Sequence, residues 1–131
     1  MNPMKGVNVK KTKKAADDSF PGAYSRFRIA HPGAAEAYDA LASESRLAAG
    51  FDEKSAALLK LALAVGARLE GAVHSHTRRA IAAGATAAEA RGVALLAITT
   101  CGFPQAMAGL TWVEDVVVRG SLKKARKSTR K

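Results

Sequence analysis

The stretch "EGAVHSHTRRAIAAGATAAEA", Glu70 to Ala90, decides how this chain folds. Gly84 closes one helix, and Thr86-Ala-Ala-Glu89 is a capping box that opens the next, so two helices meet at a short turn. Each residue of a helix turns about 100° from the last, which sets residues two apart on nearly opposite sides. His74 and His76 therefore look in different directions and do not converge on one ion. His31 lies in another segment, and no metal and no cofactor are expected. Glu70 and His74, four apart, share a face and are expected to pair. His76 shares its face with Ala72, Arg79, Ala80 and Ala83, whereas Arg78 is expected toward solvent.

Outward from this stretch the chain reads as helix throughout. It has 29 alanines, and its Pro and Gly residues fall between periodic segments. Upstream, Phe20, Tyr24, Phe27 and Ile29 are expected to anchor a short turn or helix. A helix follows from Pro32 to Leu47, stopped by Gly50. Asp52 is the expected N-cap of the next, with Glu53 in a first turn where the helix dipole favours an anion. That helix runs to about Leu69, apolar on most sides, with Lys54, Lys60 and Arg68 on one stripe. Downstream, Ala87 to about Thr100 presents Val93, Leu95, Leu96 and Ile98. "CGFP" breaks it, and Pro104 starts a last helix with Met107, Leu110, Val113 and Val117 inward.

The net charge of +10 is placed at the ends. Residues 1–14 hold five lysines and residues 119–131 seven Lys or Arg, with no acid in either. Nine basic residues then face all eleven acids between Ala15 and Val118. The expected organisation is a basic flexible tail at 1–16, a helical domain at 17–119 and a second basic tail at 120–131. Such tails touch polyanions unspecifically, and no element that reads bases is present. Cys101 is the single cysteine, which excludes an intrachain disulfide and fits a reducing, cytoplasmic setting. The N-terminus lacks the apolar core of a signal peptide, and the most apolar run, Ala56 to Leu69, is too short to cross a bilayer. The helices expose more apolar surface than one small core can hide, so a homo-oligomer is expected.

From Leu58 to Leu110 the sequence resembles the carboxymuconolactone decarboxylase family, which includes the alkylhydroperoxidase D-like proteins. Members carry a histidine, an alanine four residues on, a Gly-x-Thr-x-x-Glu and, further along, a Gly-x-Pro that opens another helix. Here these are His76, Ala80, Gly84, Thr86, Glu89, Gly102 and Pro104. The resemblance implies an all-α domain of about five to six helices that assembles as trimers or hexamers, with sites near subunit interfaces. Peroxidase-type members place a Cys-x-x-Cys pair where this chain has Leu69 and Ala72. Decarboxylase-type members commonly carry a Glu at the position of Ala72.

The functional expectation is decarboxylase-like (lyase) acid/base chemistry on a small carboxylate or lactone. His76 is the catalytic candidate, moving a proton near neutral pH. Arg79 would hold a carboxylate, and Thr100 and Cys101 would line the opposite wall of the substrate site. Two alternatives are a peroxiredoxin-like activity, which lacks its thiol pair here, and a non-catalytic helical oligomer. A polar, solvent-reachable surrounding for His76 separates the enzyme from that oligomer.

Overall fold

The computed structural model describes residues 22–130. The expected N-terminal tail and Phe20 lie outside them. Among the described residues there are helices and no strand: α1 (Ala23–Ala30), α2 (Pro32–Ala49), α3 (Glu53–Gly66), α4 (Glu70–Ala82), α5 (Ala87–Leu96), the single turn α6 (Ile98–Cys101) and α7 (Phe103–Ser128). Two compact units divide at Asp39, inside α2.

In the first unit Arg28 Nη1 binds Asp39 Oδ2 at 2.7 Å and also donates to the Tyr24 hydroxyl at 3.2 Å. Ile29 is exposed and anchors nothing, while Phe27, partly exposed, packs against its neighbours' rings. Polar contacts hold this segment together with ring contacts of Phe27 to Tyr24 and His31.

The second unit, from Ala40 on, carries the family-like stretch. Asp52 caps α3 by accepting the Ser55 N–H at 2.8 Å. α3 stops at Gly66, three residues before the expected Leu69. There Arg68 adopts a left-handed φ of 58°, and its N–H donates to Val65 O while Leu69 N–H donates to Ala64 O. This is a Schellman closure. Gly84 makes the same closure after α4, with φ 98°. Arg68 lacks glycine's freedom at that φ, and its Nε donates to Gln105 Oε1 at 3.1 Å. The Gln105 amide in turn donates to the last carbonyls of α3, at Val65 (3.0 Å) and Gly66. One side chain of α7 thus satisfies a helix end that would otherwise be short of donors.

With only Ala67, Arg68 and Leu69 between them, α4 turns back along α3. The capping box at Thr86 and Glu89 forms as expected. α5 ends at Leu96, earlier than expected, because Ala97 O collects the N–H groups of Thr100, Cys101 and Gly102 in a tight turn. α7 then crosses α3, α4 and α5. The main core gathers Leu61, Ala64, Val65, Val73, Ala90, Ala97, Ala106, Val113 and Val117 from these helices. A second cluster, an alanine seam, joins Ala57 and Leu58 of α3, Ala80 of α4 and Ala85 of the turn after α4.

Two expectations for α7 are corrected. Met107 is exposed, and Val113 and Val117 form the buried face. The helix also continues past Gly120 to Ser128, because Leu122, Ala125 and the lysines and arginines of this segment are good helix formers despite their charge. α3 and α5 keep apolar residues in the open, with Leu63 73% and Leu96 74% exposed.

α7 crosses α3 closely at Gly109. A Cβ added at Gly109 would stand 2.8 Å from Val65 Cγ1 and 3.0 Å from Cγ2. Val65 is β-branched and fully packed, so it has little room to rotate away. Gly109→Ala is expected to destabilise the fold by about 1–3 kcal/mol, the usual cost of overpacking a core. Val65→Ala in the same chain should recover part of that loss. Denaturant unfolding of both variants measures it; a Gly109→Ala protein more stable than its parent would refute the close crossing.

Candidate functional site: a cationic niche around His76

α4 separates its two histidines as helix geometry requires. His74 turns to α7, where its Nε2 lies 2.9 Å from Asp115 Oδ2. The expected pairing with Glu70 is thus replaced by a partner 41 residues away, although Glu70 stays close. His76 lies on the side that faces α3, half-buried, within electrostatic reach of the exposed Arg79 and the half-buried Lys60. Arg78, expected toward solvent, is the more buried of the two arginines.

Two helices place cations near this imidazole, and a third places one near Lys60. Arg79 follows His76 by one turn on α4. Lys60 comes from the middle of α3, next to the alanine seam, and Arg46 reaches Lys60's surroundings from the end of α2. The stripe of Lys54, Lys60 and Arg68 is split by its partners. Lys54 pairs with Glu89 at 2.9 Å, Arg68 goes to Gln105, and Lys60 is left among like charges.

The electrostatics follow from this arrangement. Burial, then the charge of Arg79, then that of Lys60 hold the His76 pKa at about 4, below the ordinary 6.5. Burial, then Arg46 and Arg79, push the Lys60 ammonium below its usual value. His76 Nδ1 is buried and has no hydrogen-bond partner among the described residues. The niche therefore offers a neutral imidazole with an unused nitrogen, flanked by cations.

Lys60 and Arg46 were not among the sequence candidates. A single lysine in the middle of an otherwise apolar run is the one trace Lys60 leaves in the sequence. Thr100 and Cys101 make other contacts. The Thr100 hydroxyl donates to Leu96 O at 3.3 Å, and Cys101 is exposed beside the end of α3, where a side chain at Gly66 would meet its Sγ at 3.9 Å. Among the described residues, no hydrogen bond or ion pair ties either of them to His76 or Arg79.

The neutral histidine carries a pH signature. An unfolded chain protonates its imidazole near 6.5 and the folded one near 4, so between those values the unfolded state holds the extra proton. The His76 contribution to stability is complete above pH 6.5 and shrinks as pH falls toward 4. NMR titration of His76 is expected to show the low value. In Lys60→Met and in Arg79→Met it should move up toward 6.5, more in the Arg79 variant. A His76 that titrates near 6.5 in the parent chain would refute the niche.

Comparison with known proteins identifies the family. The model of the carboxymuconolactone decarboxylase family matches residues 32–115, from the start of α2 to the middle of α7. No curated protein and no solved structure matches significantly. The matched region holds His76, Lys60, Arg46 and Arg79 together with the helices that position them, and the chain belongs to the carboxymuconolactone decarboxylase family.

Proposed function

We propose that this chain binds a small carboxylate or lactone acid in the His76 niche and carries out decarboxylase-like proton transfer there. The observation that supports this most is the unpartnered, neutral imidazole of His76 held beside Lys60 and Arg79. Substrate recognition falls to the cations. A carboxylate bound by Arg79 and Lys60 cancels their repulsion of a proton on His76, so substrate binding and protonation of the imidazole are linked. This changes the expected role of the histidine: at neutral pH the free protein has no imidazolium to give.

Proton transfer then runs in balanced steps. His76 takes up a proton as the substrate binds. The C–CO2 bond breaks, CO2 leaves and its electron pair stays on the substrate carbon, where the neighbouring cations offset the developing charge. The imidazolium gives its proton to that carbon and returns to the neutral form. Thr100 and Cys101 have no part in this reading.

Peroxidase chemistry is the weaker alternative. Leu69 and Ala72 stand where that branch of the family keeps its thiols, and Cys101 has no second cysteine in its chain. Assembly is part of the proposal. Leu59, Leu63, Leu95 and Leu96 lie open on α3 and α5, and covering them with further copies, as trimers or hexamers, would remove them from water. Among the described residues no helix is long and apolar enough to cross a membrane, and a reducing cytoplasm suits the lone thiol.

Two measurements test these statements. Across a panel of small carboxylates and lactone acids, CO2 release from the active substrate should fall by ~10²–10⁴-fold in His76→Ala. It should change little in His74→Ala and in Cys101→Ser. An activity that survives His76→Ala, or dies with Cys101→Ser, would remove the reading. Light scattering is expected to give a mass that is a multiple of 13.7 kDa; a stable monomer at micromolar concentration would contradict the assembly.

A further inference from the structure

On the opposite side of α4 from the niche, Glu70, His74 and Asp115 bring one ligand atom each to within 4.8 Å of one another. Glu70 sits in the first turn of α4, His74 one turn later on the same face, and Asp115 midway along α7. We infer that these three residues form a binding site for a divalent transition-metal ion, which would clip α4 to α7.

Two observations carry this. The first is convergence of unlike donors from two helices: an imidazole nitrogen and two carboxylate oxygens, already close enough that small rotamer changes would set them around one centre. The second is charge. The other carboxylates that bridge helices in this unit take a basic partner: Glu89 has Lys54, and Glu114 has Arg91. Glu70 and Asp115 crowd each other, and among the described residues neither is paired with a lysine or arginine. One imidazole carries at most a single positive charge against two carboxylates, whereas one divalent ion offsets both.

The donor set selects the ion. One nitrogen and two oxygens suit Zn2+, Co2+ or Mn2+. It is too poor in oxygen for Ca2+, which takes six to eight oxygen ligands, and it has no soft sulfur for Cu+. Three protein ligands leave coordination positions for water. Bound Zn2+ would sit at about 2.0–2.2 Å from its nitrogen and oxygen ligands. Binding displaces any proton from the imidazole, so affinity should weaken as the solution is acidified.

The site differs from the two-histidine ion site that helix geometry excludes, since it uses only His74 and draws a ligand from α7. It is also independent of the His76 chemistry, and so is its test. Titration of Zn2+ into the full chain, followed by calorimetry, is expected to give one site per chain. Co2+ should compete with it, and each metal should raise the melting temperature as its concentration rises. His74→Gln and Asp115→Asn should each weaken binding at least about tenfold, and Glu70→Gln should weaken it as well. His76→Ala and Cys101→Ser should bind as the parent does. Circular dichroism of the metal-free variants checks that they fold; a variant that does not fold is replaced by His74→Ala or Asp115→Ala. Absence of binding, unchanged affinity in both His74→Gln and Asp115→Asn, or loss of binding in Cys101→Ser would each overturn the proposal.

Discussion

The alanine seam between α3 and α4 is the constraint on which the rest depends. Ala57 on α3 and Ala80 on α4 are small enough to let two helix backbones approach closely, with Leu58 of α3 and Ala85 of the turn after α4 packed beside them. That approach is what sets Lys60, one turn along α3 from Ala57, against His76 and Arg79, which flank Ala80 on α4. Larger residues on the seam would push the helices apart and give the cations back to water. Gly109 does the same for α7, which lies on Val65 and ties the far end of α3 down through Gln105.

Placing like charges around a half-buried imidazole costs stability, and the chain offsets that cost elsewhere. Leu61, Val73 and Val113 are completely buried, and truncating such a residue typically costs about 2–5 kcal/mol for a leucine. The ion pairs of Lys54 with Glu89 and Arg91 with Glu114 are half-exposed, so each contributes on the order of 1 kcal/mol or less. The hydrophobic core, not the surface pairs, sustains the strained niche. Strain of this kind is common where proteins bind or react, because a ligand can relieve it.

Much of the fold was legible locally. The Asp52 cap, the Thr86–Glu89 capping box and the glycine closure at Gly84 depend on residues a few positions apart, and each formed as its spacing required. Opposite directions for His74 and His76 follow from the helical repeat alone. What stayed hidden was tertiary. Asp115 is far along the chain from His74, and nothing in α4 announces it. Lys60 and Arg46 look like ordinary surface cations until packing removes their counter-ions. Arg68 in a left-handed conformation resembles no sequence signal, since glycine normally marks such a helix end. Thr100 and Cys101 are grouped with His76 only through the family resemblance; the tight turn at Ala97 sets Cys101 beside the end of α3.

The central claim is that a carboxylate completes the His76 niche and brings a proton with it. Calorimetry of a small dicarboxylate binding to the full chain, repeated in buffers of different ionisation enthalpy, measures that proton directly. Between about pH 4 and 6.5, where the free His76 is largely neutral and an ordinary imidazole would accept a proton, the account predicts net uptake of close to one proton per ligand, lost in His76→Ala. Binding with no proton uptake, or uptake that persists in His76→Ala, would contradict it.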